Sequence, residues 1–145
     1  MRNKKNIFID GPISAERIAE SIASHKEKYD IGAHSIFLGQ VRRDAIGEKK
    51  VAAIQYSSYE EMAMEKICAL REAIFAKYPL TCMHIYHSLG IVKAGEICLF
   101  VFASSSHRKP AIEACEETVE LIKKDIPIWG KEIFEDDTHR WKENK

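Results

Sequence analysis

Ile97-Cys98-Leu99-Phe100-Val101-Phe102 runs, after Ala103, straight into Ser104-Ser105-Ser106-His107-Arg108-Lys109-Pro110. The reading of this junction decides the fold. Six consecutive apolar residues leave no polar face, which places the segment as a strand in the interior of a sheet. The three serines break the pattern. From about His107 to Asp125 the apolar positions Ala111, Cys115, Thr118 and Ile122 recur at helical spacing, so the buried strand feeds a long helix. Upstream, Thr81 to Ser88 reads as another strand, with Gly90 to Gly95 as the turn between the two.

The rest of the chain continues the alternation. Ile7-Phe8-Ile9 is a short strand stopped by Asp10-Gly11-Pro12, and Ser14 caps a helix that reaches about Lys28. Gly32 to Arg42 reads as a strand with Ile36 and Leu38 on one face and Phe37 on the other. Arg43 to Lys50 is a polar loop, and Val51 to Tyr59 a further strand. Ala63, Ile67, Leu70 and Ile74 form one face of a helix from about Glu60 to Tyr78, which Pro79 ends. Pro127-Ile128-Trp129-Gly130 closes the last helix, and a short charged tail is expected after it. The class is α+β, a mixed or antiparallel sheet with packed helices, and residues 1–145 read as one domain.

Composition excludes several functions. Twenty-two basic residues balance 22 acidic ones, so the net charge is +0. No global field draws the chain to nucleic acid or to an anionic membrane, and no exposed aromatic pair on a strand suggests an RNA-binding sheet. The apolar run Ile97 to Ala103 is too short to span a bilayer, and no signal-peptide core follows the basic start, so the cytoplasm is the expected location. Cys68, Cys82, Cys98 and Cys115 show no C-x-x-C spacing and read as core thiols. His84 and His87 are three apart on a strand, hence on opposite faces, and make a poor metal pair.

Three basic segments stand out. His107, Arg108 and Lys109 crowd a helix N-terminus, where positive side chains oppose the dipole but anions are welcome. Gly39-Gln40-Val41-Arg42-Arg43 ends an apolar strand and offers a guanidinium fork. Lys123 and Lys131 flank the Pro127-Ile128-Trp129 wedge. A lysine beside other cations and apolar surface has a lowered pKa and serves as base or nucleophile. Taken alone, these segments also suit a non-catalytic sensor of a phosphorylated metabolite or nucleotide.

Taken in order, Phe37-x-Gly39-Gln40-Val41-Arg42, Tyr56-x-x-Tyr59-x-x-Met62-Ala63, Ser106-His107-Arg108 and Lys123-x-x-x-Pro127-Ile128-Trp129-x-Lys131-Glu132 resemble the catalytic large subunit of molybdopterin synthase. The resemblance implies an α/β hammerhead fold and a central homodimer. It implies a small ubiquitin-like sulfur-carrier subunit at each end, whose C-terminal Gly-Gly thiocarboxylate threads into a pocket. It also implies a substrate, cyclic pyranopterin monophosphate (precursor Z), that gains two sulfurs with neither metal nor organic cofactor. Carried over by position, Gln40, Val41 and Arg42 bind substrate, His107 and Arg108 bind its phosphate from the neighbouring protomer, Phe37 forms an apolar wall, and Lys123 is catalytic. The second lysine of the family falls at Gly130, which leaves Lys131 as the expected replacement.

Overall fold

The computed structural model describes residues 6–142. Its elements in chain order are β1 (Phe8–Asp10), α1 (Ala15–Ala23), β2 (Ala33–Gln40), β3 (Ala45–Ile46), β4 (Lys49–Ser58), α2 (Glu60–Lys77), β5 (Leu80–Lys93), β6 (Ile97–Ser105), α3 (Arg108–Asp125), β7 (Ile128–Phe134) and β8 (His139–Trp141). The sheet runs β2-β6-β5-β4-β7-β8; β3 pairs with β4, and β1 pairs with β5 in the one parallel contact described. The α+β expectation stands.

The junction strand is central, as its composition requires. β6 is flanked by β2 and β5, and every residue from Cys98 to Ser105 is buried. Leu99, Val101 and Ala103 face α2 and α3 in one core, against Ile67, Ile74, Cys115 and Ile122. Phe100 and Phe102 face the other way and pack with Ile13 and Ile18 around α1. The α1 helix starts where Ser14 accepts from the Arg17 N–H at 3.2 Å, but it ends at Ala23 rather than near Lys28.

Two expectations are corrected. The strand upstream of the junction does not stop at Ser88; β5 continues to Lys93, and the turn is confined to residues near Gly95. Gly90, at φ +81, lets this strand bend and change partners: residues 80–87 pair with β6 and residues 90–93 with β4. The charged tail is not a tail. It folds as β7 and β8, with Gly130 and Glu132 on the face that β7 turns toward the core. A glycine and a buried glutamate conceal the period-two pattern; Glu132 is tied to Arg140 at 3.4 Å.

Candidate active site

The last turn of α3 and the inner face of β7 enclose a cavity of about 30 Å³. Lys123 and Lys142 line it, with His87, Tyr56 and Gly130 around them and Leu99 and Ile122 as an apolar floor. The register puts them there. Lys131 pairs with Trp141, so Gly130 stands opposite Lys142, and the Lys142 N–H donates to the Gly130 carbonyl at 2.8 Å. Gly130 keeps the cavity open: a Cβ at this position would come within 2.9 Å of Ile54 Cγ2 and 3.4 Å of the Tyr56 ring.

Electrostatics follow from burial. The Lys123 ammonium is held below its ordinary pKa, mainly by desolvation, then by the charge of Lys142 and to a smaller degree by Arg42; Cys98 and Glu120 oppose the shift. His87 is pushed down to about 4, chiefly by burial, with Lys123 adding to the effect and the Ser88 carbonyl opposing it. Its Nδ1–H donates to that carbonyl at 2.8 Å, so the ring is neutral with Nε2 as its open nitrogen. Burial raises the Tyr56 phenol, with Cys98 and Glu132 adding to the shift, and the Tyr56 ring meets His87 edge to face at 5.1 Å. The site therefore couples two amines to two neutral aromatic groups.

Gln40 ends β2, and Val41 and Arg42 follow it, with Arg42 within electrostatic reach of Lys123. Val41 is buried and clamped by backbone bonds to Glu96 and Gly95, at 3.0 and 2.8 Å. That clamp presents Arg42 at the surface, where it makes a loose 3.4 Å ion pair with Asp44. Arg43 is engaged elsewhere, on Glu135 at 2.6 Å. A wider, solvent-open hollow lined by Arg43, Lys49, Glu135 and Asp136 neutralises its own charges and offers an anion little. Phe37 lies on β2 with a partly exposed ring.

Within the single chain Arg42 is in electrostatic reach of Lys123, while His107 and Arg108 are not near it. His107 caps α3 without a side-chain cap bond, and Arg108 opens the helix. Lys123 sits in the last turn of the same helix, about 24 Å away at 1.5 Å rise per residue. Lys131 is also apart. It lies on the opposite face of β7 from Gly130, with its ammonium 5.9 Å from the Trp141 ring. The second amine at the cavity is that of Lys142. Sequence reasoning missed it because its place depends on the β7–β8 pairing, which no local pattern announced. His87 was visible only as half of an unpromising histidine pair.

A sheet-and-helix scaffold with two lysines lining one cavity and an arginine just past a neighbouring strand defines an α+β protein with a cationic candidate site. The chain belongs to the MoaE protein family, whose model matches residues 8–125. It is 37% identical over 125 residues to the molybdopterin synthase catalytic subunit of Bacillus subtilis, covering 86% of this chain and 76% of that protein. It is 40% identical over 116 residues to the same subunit of Drosophila willistoni, covering 79% of this chain. The chain spans only 31% of that fly protein and 56% of the Rattus norvegicus subunit. Among solved structures, molybdopterin synthase from Staphylococcus aureus superposes with a TM-score of 0.83 at 32% identity, covering 98% of this chain and 99% of that one. A complex of subunits 1 and 2 of molybdopterin-converting factor from Helicobacter pylori shares the fold, at TM-score 0.80 and 19% identity over 95% of this chain and 90% of that one. Among the described residues, no helix is long and apolar enough to cross a membrane.

Proposed function

We propose that this chain is the catalytic subunit of a molybdopterin synthase, a sulfurtransferase that converts cyclic pyranopterin monophosphate to molybdopterin. A thiocarboxylated carrier subunit donates the two sulfurs. The observation that carries this reading is the depressed pKa of Lys123 in a cavity shared with Lys142 and within electrostatic reach of Arg42. An amine of lowered pKa gives up its proton more readily than an ordinary lysine, and it polarises or transiently engages the carrier's terminal carbonyl. Lys142 supplies the second positive charge for the carrier's carboxylate or for charge developing in the transition state. Arg42 holds the cyclic phosphate and assists its release as the ring opens.

His107 and Arg108 complete the phosphate site from a second copy of the chain. β2 is an edge strand carrying Ile36, Phe37 and Leu38 with exposed side chains, an apolar edge that favours pairing. Ala33 at one end pairs with Ser105, just before His107, while Gln40 at the other end precedes Arg42. Antiparallel apposition of two β2 edges about a two-fold axis carries His107 and Arg108 of one protomer toward Arg42 of its partner. The outer face of β4, β7 and β8, where Trp129 and Trp141 are exposed, offers an apolar surface for the carrier. The test is dithiolene formation from the cyclic phosphate and a thiocarboxylated carrier. A chain that binds the phosphate but transfers no sulfur would be a sensor instead.

A further inference from the structure

Away from this cavity, on the opposite face of the sheet, three potential ligands converge. His25 follows α1, and Cys82 and His84 alternate on β5 so that both face the α1 side. One ligand atom from each lies within 4.8 Å of the others. The two Nε2 atoms are 3.0 Å apart. Two imidazole nitrogens on one tetrahedral zinc ion, each at about 2.0–2.1 Å, stand about 3.3 Å apart. The outer hydrogen bonding is also set: His25 Nδ1–H donates to the Ser21 carbonyl, which leaves Nε2 as the lone-pair nitrogen facing His84. Phe102 packs against both rings, at 4.9 Å from His25 and 6.0 Å from His84. His25 is only 4% exposed.

We propose that His25, Cys82 and His84 form a site for a thiophilic transition-metal ion of the zinc class, which ties α1 to the sheet. Two imidazoles and a thiolate favour zinc over magnesium or calcium, and three protein ligands leave a fourth position for water. On binding, Cys82 gives up its thiol proton to solvent and ligates as the thiolate. The structural need is visible in α1, which has no buried residue of its own. The ion adds an anchor where packing supplies little. This role is separate from sulfur transfer and does not depend on it.

The test uses the untagged full chain, stripped with a chelator and titrated anaerobically with Co²⁺ and then Zn²⁺. The expected result is one equivalent of Co²⁺ with a near-ultraviolet thiolate-to-cobalt charge-transfer band, displaced by Zn²⁺. Cys82→Ser removes the band, and His84→Ala weakens binding by more than about tenfold. Zn²⁺ raises the melting temperature of the wild-type chain and not that of Cys82→Ser. Absence of the band in the wild-type chain, or its survival in Cys82→Ser, overturns the proposal. If a variant fails to fold, the wild-type titration decides: one tight equivalent with the thiolate band upholds the site, and anything else rejects it.

Discussion

The Lys142 N–H donates to the Gly130 carbonyl at 2.8 Å, and this single ladder bond sets a lysine side chain beside a position that has none. Gly130 leaves open the space that Lys142 and Lys123 face together. An amine reaches the pocket from the residue just after β8, while Lys131, next to Gly130 in sequence, points to the other side of the sheet. Lys142→Gln is therefore expected to reduce sulfur transfer strongly and Lys131→Ala to leave it near normal. Single-turnover rates measured with both variants check this; the reverse ranking refutes it.

The charge of Lys142 lowers the pKa of Lys123, so Lys142→Gln is expected to move that pKa up toward the ordinary lysine value. The lysine-dependent limb of the pH–rate profile should shift to higher pH. An unchanged limb alongside a reduced rate would place Lys142 in binding only.

His87 is neutral and its folded pKa is about 4, below the ordinary 6.5. Below pH 6.5 the unfolded chain takes up a proton that the folded chain refuses. Stability is therefore fully present above about pH 6.5 and falls as the pH drops toward 4, by roughly 3 kcal/mol in all. Denaturant melts across that window test it, and His87→Gln should flatten the dependence.

A methyl group at position 130 would meet Ile54 Cγ2 at 2.9 Å. Gly130→Ala is expected to cost about 1–3 kcal/mol from overpacking and to shrink the cavity. Thermal unfolding and the transfer rate should fall together.

The sequence disclosed most of this fold where one local rule acted alone. The unbroken apolar run at Phe100, the four-three-four spacing of Ala63, Ile67, Leu70 and Ile74, and the Ser14 cap each led to the element observed. It failed where two constraints overlapped. Gly90 looks like a turn, yet it bends a continuous strand between two partners. Gly130 and Glu132 look like surface tail, yet both face inward on β7, one for space and one for its ion pair with Arg140. At the candidate site, the cationic and apolar surroundings of Lys123 were legible in its segment, and so was the place of Arg42 just beyond a strand. Lys142 was not, because only strand pairing brings it near. His107 and Arg108 were legible as a basic helix start, while their distance from Lys123 is a property of helix length, which the proposed second copy closes.

The proposed second copy gives a complementation test. Chains carrying Lys123→Ala and chains carrying Arg108→Ala should each be nearly inactive. Mixed at equal amounts with random exchange of protomers, they should regain about a quarter of wild-type activity, from the one intact site in each mixed dimer. No recovery, despite proven exchange, would mean that each site is built from one chain.

The most direct measurement of the central claim is dithiolene formation when the chain, a thiocarboxylated carrier and the cyclic pterin phosphate are combined, for wild type and for Lys123→Ala. The account predicts molybdopterin from the wild type. It predicts a loss of roughly 10²–10³-fold in the variant, the size expected for removing one preorganised charge at the reacting centre, with folding and carrier binding intact. Equal product from both chains, or none from the wild type, would contradict it.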